Sequence, residues 1–569
     1  MVYILGVNLS HDRSACLLKD GKILVAIEEE RLDRLKHSRG ILCNTVLRQN
    51  NTVSPMKSIN YCLNYAGISL DTLDLIVGNI PGNDISAEIL KKEIPIKNKN
   101  KIKTLPQPGH HLAHAFGVYF ASPFKKSAIL VVDATGNTTN NSIEAHTFFI
   151  GENNRINRIY QELLPVYPLP QNFFSLGFFY EYFTKQLDFY TNLLPADIPE
   201  QEVNTKYPEA GKLMGLAPYG KKRIHWEKLI RLENNGKIKI PIQDVKLKYA
   251  RWKIQDKIND EKIGLKYENQ FYKDIAYKVQ NELEAAIVHL ANDLYQKTKI
   301  KNLCFNGGVA LNCVANRKIL DNTPFKNIFI LPPANDAGIS IGCAYYGYYS
   351  LTGGKKRVPL NTVYLGKEYN EQEILTSLEK YSNIKWLKFR TYQELIKQTA
   401  KLISHKKIVG WFQKGAEMGP RALGHRSILA DPREPKMKDK LNKRVKHREP
   451  FRPYAPSVLE EKVQDFFDIK HKSPFMLLVA NVKKGKQKKI PSVVHIDGTV
   501  RLQTVNKVDN GIYYDLVKAF YNLTNIPMIL NTSFNDNNEP IVETPEDAIN
   551  CFLKTEMDYL VIGKFLIEI

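Results

Sequence analysis

Short apolar runs that end in polar turns dominate the first 140 residues, and they predict strands. The runs YILGVNLS and SACLLKDGKILVAIEEE predict three strands, and Asp20-Gly21 predicts a two-residue hairpin between the second and the third. A further apolar run, KSAILVVDATGN, ends in Asp133, Thr135 and Gly136. Two strand starts of this kind predict a duplicated domain with a nucleotide cleft between its halves.

In the middle of the chain the short apolar runs give way to a longer stretch with helical periodicity. Residues from about 268 to 297 have the periodicity of one long helix. The stretches KNLCFNGGVALNCVANRKIL and KNIFILPPANDAGISIGCAYYGYY follow, and each predicts a strand, a turn and a helix. Backbone N–H groups at such turns and helix starts can bind an anion.

A polar stretch that contains Gly and Pro, LTGGKKRVPLN, interrupts the pattern near residue 350. Beyond it a new succession of helix, strand and loop begins. We therefore expect a first domain over residues 1–355, a linker over 356–370 and a second domain over 371–569.

The composition is that of a folded protein without a secretion or membrane signal. A chain of 569 residues exceeds what one core supports, and 43% hydrophobic residues argue against disorder. No apolar run approaches the roughly 20 residues of a membrane span, and the N-terminus has no signal-peptide pattern. Seven scattered cysteines without a Cys-x-x-Cys pair argue against a zinc ribbon or disulfide framework. We expect a cytoplasmic protein.

The net charge of +22 raises the question of a nucleic-acid partner. Lysine runs such as KNKNKIK and KKGKQKK have the character of solvated loops, and no RNA-binding signature accompanies them. We favour a solvated basic surface, with part of the charge serving anionic small substrates, over binding of nucleic acid.

His110 and His114, in PGHHLAHAF, are four residues apart. On a helix such residues share one face, with Cβ atoms about 5–6 Å apart, so two imidazoles can converge on one ion. The pair predicts a metal site, and the alternative is a helix that carries histidines without a metal.

The densest basic cluster lies between Lys414 and Arg452, a stretch that contains twelve Lys or Arg residues and only five Asp or Glu residues. Gly and Pro among them, as in GPRALGHRSILADPR, indicate a shaped loop, and arginine forks bind phosphate oxygens. We expect a polyphosphate pocket here rather than a basic surface. Downstream, ILNTSFNDNNEP ends a strand in short polar side chains that can bind a phosphate or a base, and an Asx-type turn is the alternative.

These residues resemble one known family. Lys446 and Arg448 of KHR, with Ser533 and Asn535 of SFN, resemble the signature of YrdC-type domains, which form acyl-adenylates from ATP. The segments EMGPRALGHRSILADPR and HIDGTVRLQTV resemble the O-carbamoyltransferases of antibiotic and nodulation-factor biosynthesis. The resemblance continues in order through EEERLDRLKH, GHHLAHA, DATG, SLGFFYEYFT, EAGKLMGLAPYG, NGGVALNCVANRKI and NDAGISIGCA, and so covers nearly the whole chain.

The resemblance implies an α/β fold in two parts and a reaction in two steps. The first domain would have the duplicated actin and sugar-kinase fold (ASKHA, RNase H-like), and the second a YrdC-like α/β fold. The second domain would form carbamoyl-adenylate from carbamoyl phosphate and ATP, with Mg²⁺. The first domain would then transfer the carbamoyl group to a hydroxyl of a small natural-product acceptor, with AMP leaving.

The resemblance also assigns site residues. A divalent metal, usually Fe²⁺ in the family, would be held by His110, His114 and Asp336, with His111 facing another direction. Nucleotide contacts at the transfer site would come from Lys212, Gly215, Asn306, Gly307, Gly308 and Asn312. Carbamoyl phosphate and ATP would be bound by Arg421, Lys446, Arg448, Arg501, Ser533 and Asn535, with Lys446 and Arg448 acting in catalysis.

The acceptor side is less sharply defined by the motifs. His11 and Asp12 follow the first strand, where they can orient an acceptor hydroxyl with His11 as general base, and plain hairpin structure is the alternative. Asp133 is expected to orient the acceptor or a water on the metal. The charged segment with Glu29, Arg31 and Lys36 is expected to line the acceptor cleft, or else to form a solvated helix with i,i+4 pairs.

Two other functions remain open at this point. One is a tRNA-modifying enzyme of the threonylcarbamoyl type, and the other is an ATP-binding regulatory protein without turnover. The motifs do not name the acceptor alcohol, whose contacts we expect from residues 40–100 and 185–206. A homodimer is compatible with the sequence.

Overall fold

The computed structural model describes residues 1–9, 11–38, 56–79, 86–139, 141–165, 172–192 and 206–569. The segments expected to contact the acceptor, 40–100 and 185–206, lie partly outside these residues. The chain forms two compact units, one of residues 1–33 and 37–360, the other of residues 34–36 and 361–569. In the described ranges, no helix is long and apolar enough to cross a bilayer.

The first sheet of unit one is built around the predicted hairpin. Asp20 and Gly21 both adopt positive φ, 48° and 84°, as a type I′ turn requires. The sheet has five strands, and the central strand Tyr3–Asn8 belongs to both halves of it. On one side of this strand the pairing is antiparallel, and on the other side it is parallel. Their spatial order is Lys22–Glu28, Ser14–Lys19, Tyr3–Asn8, Leu75–Asn79 and Ile102–Thr104.

A second sheet of unit one repeats this order and these directions. Its strands are again antiparallel across the first three and parallel across the last three. The order is Arg155–Pro165, Ser142–Glu152, Lys126–Val132, Asn302–Asn306 and Asn327–Ile330, with the short strand Thr138–Thr139 also on Ser142–Glu152. The duplication predicted from the two strand starts is therefore present in the topology.

Two helices join the two sheets. Helix His110–Ala121 packs on the second sheet, helix Ile339–Tyr346 packs on the first, and the two helices contact each other. Glycine permits this approach, because a Cβ on Gly342 would lie only 1.9 Å from the carbonyl oxygen of Ala113. This packing brings the start of each helix close to the start of the other.

The remaining elements of unit one lie outside these two sheets. The small antiparallel pairs are Tyr190–Asn192 with Lys206–Pro208, and Arg231–Glu233 with Lys237–Lys239. The other α-helices are Glu30–Asp33, Lys57–Ala66, Ser86–Glu93, Leu176–Gln186, Ala210–Leu216, Ile242–Gln255, Gln270–Thr298 and Cys313–Asn322.

Unit two is an α/β unit with a mixed eight-stranded sheet. The strand order is Lys385–Lys388, Phe565–Glu568, Tyr559–Ile562, Val409–Phe412, Arg426–Ala430, Met528–Ser533, Ala455–Leu459 and Gln503–Val505. A three-stranded sheet contains Phe467–Asp468, Val479–Val482 and Thr499–Arg501. The α-helices are Glu371–Leu378, Tyr392–Ser404, Met437–Leu441, Val463–Phe466, Lys507–Thr524 and Pro545–Lys554.

Candidate functional site

Four polar side chains converge where the two central helices of unit one begin. His110 and His114 lie on the first turns of their helix, Asp133 directly follows strand Lys126–Val132, and Asp336 precedes helix Ile339–Tyr346. Asp133 Oδ2 lies 3.2 Å from Nε2 of each histidine. Asp336 Oδ1 lies 3.5 Å from Nε2 of His110 and 3.7 Å from Nε2 of His114. One potential ligand atom from each residue falls within 4.8 Å of the others.

The structure therefore brings together the three expected ligands, His110, His114 and Asp336, and adds a fourth. Asp133 was expected to orient the acceptor or a water on the metal, and its position also allows it to act as a ligand. A signal was present in the sequence, since Asp133 directly follows the apolar strand Lys126–Val132, and Asp336 lies in the loop after the strand Asn327–Ile330. Only the strand order places both aspartates against one helix.

The four side chains fit a divalent cation. Both histidines are fully buried, and His114 Nε2 makes no hydrogen bond of acceptable geometry to the described residues. The amide of Asn79 lies 3.4 Å from Nδ1 of His110. With its oxygen turned to the ring, this amide accepts the Nδ1 proton and leaves Nε2 for a cation. Two imidazoles and two carboxylates suit iron, manganese or zinc.

Charge compensation within the group is strong. Burial raises the pKa of Asp133, but its contacts with the two histidines outweigh burial and hold this pKa well below its usual range. Burial lowers the pKa of His114, but Asp133 and Asp336 outweigh it and raise this pKa to about 9. Without a cation, an imidazolium at His114 thus neutralises part of the carboxylate charge.

We expect cation binding to strengthen with pH for this reason. At neutral pH a cation must displace the His114 proton, so affinity should rise about tenfold per pH unit up to pH about 9 and then level off. Calorimetric titration with Mn²⁺ in buffers of different ionisation enthalpy should show close to one proton released at pH 7. The exposed His225 provides a control, since His225→Ala should keep this slope. A pH-independent affinity between pH 6 and 8 would contradict the assignment.

His111 faces away from the group, as expected. Its Nδ1 lies 2.8 Å from the hydroxyl of Thr147, and Glu144 is 4.0 Å away. Burial, followed by the neighbouring His110, lowers the pKa of His111 well below its usual range. His111 is therefore a neutral, buried residue.

The glycine turn after strand Asn302–Asn306 lies directly against Asp133. The backbone N–H of Gly308 donates to Asp133 Oδ1 at 3.2 Å. Gly307 has φ 93°, and a Cβ there would lie 2.2 Å from the carbonyl oxygen of Val132. Asn306 donates to the carbonyl of His114 at 3.0 Å. Three of the expected nucleotide residues thus border the group of two histidines and two aspartates.

The other expected nucleotide residues of unit one are placed differently. Asn312 is the N-cap of helix Cys313–Asn322, and its amide exchanges hydrogen bonds with Gln280. These hydrogen bonds engage both the oxygen and the nitrogen of the Asn312 amide, and its nucleotide role stays a prediction. Lys212 and Gly215 are buried on helix Ala210–Leu216.

His11 and Asp12 lie beside the ligand group. His11 Nε2 is 3.6 Å from Asp336 Oδ2, and the His11 side chain is 39% exposed. Burial lowers the pKa of His11, but the charges of Asp336, Asp12 and Asp133 raise it overall. Two further residues, His37 and Tyr207, pack here, with Tyr207 stacked on His37 at 4.0 Å between ring centroids. Neither residue was predicted from the sequence as a site residue.

Glu29 and Arg31, which were expected to line the acceptor cleft, make buried contacts within the first unit. The Glu29 carboxylate accepts from the backbone N–H groups of Lys57 and Ser58, both at 2.8 Å, and so satisfies the first turn of helix Lys57–Ala66. Arg31 is 1% exposed and pairs with Glu28 at 2.9 Å. The Glu29 side chain therefore caps a helix, and the Arg31 side chain forms a buried ion pair. Lys36 is half-buried and belongs to unit two by its contacts.

Unit two holds a separate basic site around Lys446. Its ammonium group donates to the carbonyls of Ser533 and Asn535 at 3.0 and 2.5 Å, and to Asn535 Oδ1 at 2.6 Å. The hydroxyl of Ser533 donates to the same Oδ1 at 2.7 Å. Lys446 and the strand end are thus brought together, as the sequence analysis expected. The acceptors around the ammonium are neutral, so its charge is not balanced by them.

Several cations around Lys446 repel one another. Burial, followed by Arg448, lowers the pKa of Lys446 well below its usual range. Burial also lowers the pKa of Arg448 to about 10, with Arg452 and Arg501 contributing and Tyr454 opposing. Arg448 lies over the Tyr454 ring and donates to Asn442 Oδ1 at 3.1 Å. A group of cations that destabilise one another gains most from a bound polyanion.

Arg421 lies half-buried in the loop before strand Arg426–Ala430. This loop is folded around the buried carboxylate of Glu417, which accepts from the backbone N–H groups of Leu423 and His425 at 2.5 and 3.3 Å. The Gly and Pro residues of the loop therefore belong to a defined structure, as expected for a shaped loop.

Two family models match the chain. The carbamoyltransferase N-terminus matches residues 3–94 and 78–345, and the carbamoyltransferase C-terminus matches residues 400–568. The two matches cover most of the chain.

Similar proteins occur in several bacteria. An uncharacterized protein of Synechocystis sp. is 33% identical, over 100% of this chain and 97% of its own. Nodulation protein NolNO of Sinorhizobium fredii is 33% identical, over 98% of this chain and 79% of its own. Nodulation protein NolO of Bradyrhizobium diazoefficiens is 32% identical, over 81% of this chain and 78% of its own.

The solved structures that align with this chain share less sequence identity with it than these relatives do. HypF of T. kodakarensis shares 16% identity at a TM-score of 0.38, over 63% of this chain and 48% of its own. Component A of the (R)-2-hydroxyglutaryl-CoA dehydratase of Acidaminococcus fermentans shares 14% identity at a TM-score of 0.36, over 61% of this chain and 97% of its own.

Proposed function

This chain belongs to the carbamoyltransferase family, and on that premise we propose that it is an ATP-dependent O-carbamoyltransferase with two reaction sites. The observation that carries the proposal is the presence of two polar sites of different chemistry. Unit one has a buried group of two histidines and two aspartates, and unit two has a cluster of cations in which burial and mutual repulsion lower the pKa of Lys446 and Arg448. Such a pair suits an enzyme that activates a carbamoyl group at one site and transfers it at the other.

Activation belongs to unit two, which we assign a YrdC-like role. Carbamoyl phosphate is hydrolysed to carbamate and phosphate, and a carbamate oxygen then attacks the α-phosphorus of ATP. A phosphorus–oxygen bond to pyrophosphate breaks, which gives carbamoyl-adenylate. Negative charge develops on the phosphates, and Lys446, Arg448 and Arg501 would neutralise it without rearrangement. Arg421, Ser533 and Asn535 complete the proposed site, and Mg²⁺ accompanies ATP.

Transfer belongs to unit one. His110, His114, Asp133 and Asp336 would hold a divalent cation such as Fe²⁺, which when bound supplies positive charge to the phosphate of carbamoyl-adenylate. A side chain would meet the carbonyl of Val132 at Gly307 and the carboxylate of Asp133 at Gly308, so we propose that this turn contacts the nucleotide through its backbone. Asn306 Oδ1 is buried and has no hydrogen-bond partner among the described residues, so it is available to a nucleotide donor. Lys212 and Gly215 are proposed to complete the nucleotide contacts.

The acceptor reacts through a hydroxyl. Its oxygen forms a bond to the carbamoyl carbon, the bond from that carbon to the phosphate oxygen breaks, and AMP leaves with the electron pair. A carbamate by itself is a poor acyl donor, and adenylation supplies a leaving group whose charge the protein can neutralise. We propose a small hydroxylated natural product as the acceptor.

The first step can be tested without the acceptor. Purified protein with ATP, carbamoyl phosphate and Mg²⁺ is expected to release pyrophosphate and phosphate, and each release should require both substrates. Protein that binds ATP but shows no carbamoyl phosphate-dependent release would overturn the proposal. Tight and steeply salt-dependent binding of tRNA would instead favour an RNA-modifying enzyme.

A further inference from the structure

A histidine–aspartate pair lies next to the proposed transfer site, and the mechanism above does not use it. Nδ1 of His37 donates to Asp12 Oδ1 at 2.9 Å, and Asn335 donates to Asp12 Oδ2 at 2.8 Å. The backbone N–H of Asp12 donates to the His37 carbonyl at 3.0 Å. The two residues are thus held together by both side chain and backbone.

The backbone of this pair is in an unusual conformation. Asp12 has φ 54° and His37 has φ 62°, a left-handed region that residues with a side chain seldom adopt. The Glu30 carboxylate accepts from the His37 backbone N–H at 2.7 Å. Such conformations persist where surrounding contacts enforce them, and they cluster at functional sites.

The imidazole of His37 is fixed in orientation and can still be reached. The ring of Tyr207 stacks on it at 4.0 Å with 29° between the planes. Burial raises the pKa of Tyr207 well above its usual range, so the phenol stays neutral. The His37 side chain is 21% exposed, whereas the Asp12 side chain is 5% exposed. A small alcohol can approach the ring but not the carboxylate beneath it.

We infer that His37, oriented by Asp12, is the general base that removes the proton from the acceptor hydroxyl. With Nδ1–H bonded to Asp12, Nε2 takes the proton while the acceptor oxygen bonds to the carbamoyl carbon and AMP leaves. Asn335 joins Asp12 to the neighbouring Asp336, so the pair is anchored to the ligand group. This inference rests on the proposed two-step function.

The geometry favours His37 over His11 for this role. Nε2 of His11 faces Asp336 Oδ2 at 3.6 Å, and Asp336 is one of the proposed ligands. His11 is therefore better placed to support that carboxylate. Among the described residues, His37 contacts the titratable groups of Asp12, Glu30 and Tyr207, and His11 packs on the same Tyr207 ring.

The test replaces His37 by glycine, which accepts the left-handed backbone without strain. The full-length protein receives ATP, carbamoyl phosphate, Mg²⁺ and excess glycerol as a probe alcohol, and pyrophosphate and AMP are measured separately. We expect His37→Gly to keep pyrophosphate release, and AMP formation to fall about 10²–10⁴-fold, the contribution of a positioned base. Added imidazole should restore part of the AMP rate, and the restoration should follow the fraction of neutral imidazole.

Two further variants separate catalysis from structure. His37→Asn tolerates positive φ and keeps a hydrogen-bond donor toward Asp12, yet it cannot act as a base, so the same AMP loss is expected. The exposed His225 is the control, and His225→Ala should behave as wild type.

AMP formation at the wild-type rate in His37→Gly, or loss without any rescue by imidazole, would overturn the inference. Wild-type protein that forms no AMP above the protein-free rate would also overturn it. Failure of the proposed function looks different, because wild-type protein would then release no pyrophosphate, and the inference would fall with it.

Discussion

His114→Ala protein is expected to lose its divalent metal and carbamoyl transfer, while pyrophosphate release continues at the wild-type rate. His114 Nε2 lies 3.2 Å from Asp133 and 3.7 Å from Asp336, so its proposed role is to bind the cation beside these two carboxylates. Loss of one of four ligands should lower metal affinity and AMP formation at least about a hundredfold. The activation site in unit two contains none of these ligands, so the first step should be unaffected.

The measurement combines metal analysis of the purified protein with separate assays for pyrophosphate and AMP. His289 offers a matched control in the same unit, because its Nε2 lies 2.8 Å from the carbonyl of Glu233 and a glutamine amide can make the same bond. His289→Gln should keep metal and both activities. Full metal content in His114→Ala would refute the assignment of the ligand group.

Arg448→Ala protein is expected to show the opposite pattern, with normal metal content and little pyrophosphate release. Arg448 is held by Asn442 and the Tyr454 ring, and burial, with Arg452 and Arg501 contributing, lowers its pKa to about 10. A cation in this setting is stabilised by a polyanion and should contribute most as charge develops on the phosphates. We expect pyrophosphate release to fall about 10²–10³-fold, the cost of removing one preorganised donor at a developing anion.

Arg448→Lys is the matched variant, since it keeps the charge and loses the planar fork. We expect an intermediate rate, because lysine acts as a point charge where arginine makes two parallel bonds. Equal rates for Arg448→Ala and wild type would remove Arg448 from the proposed activation site. A parallel loss of metal in Arg448→Ala would indicate a folding defect rather than a lost contact.

Much of the fold was predictable because local patterns determine it. The Asp20-Gly21 turn formed as expected, since only residues that tolerate positive φ fit its two positions. The repeated strand starts correctly indicated the duplicated sheet order, because the same apolar runs bury the same strands. Glu29 shows the limit of such patterns, because nothing in EEERLDRLKH indicates that its carboxylate satisfies the start of helix Lys57–Ala66, 28 residues later.

The sequence by itself determined that His110 and His114 share a helix face, because a four-residue spacing does so on any helix. It also determined, through its motifs, that the chain resembles carbamoyltransferases, and the family matches confirm this resemblance. Only the tertiary structure decided that Asp133 joins the histidines and that Asp12 holds His37. The residues of each pair are separated along the chain and come together through strand order and helix packing. No local sequence pattern therefore predicts that they are close in space.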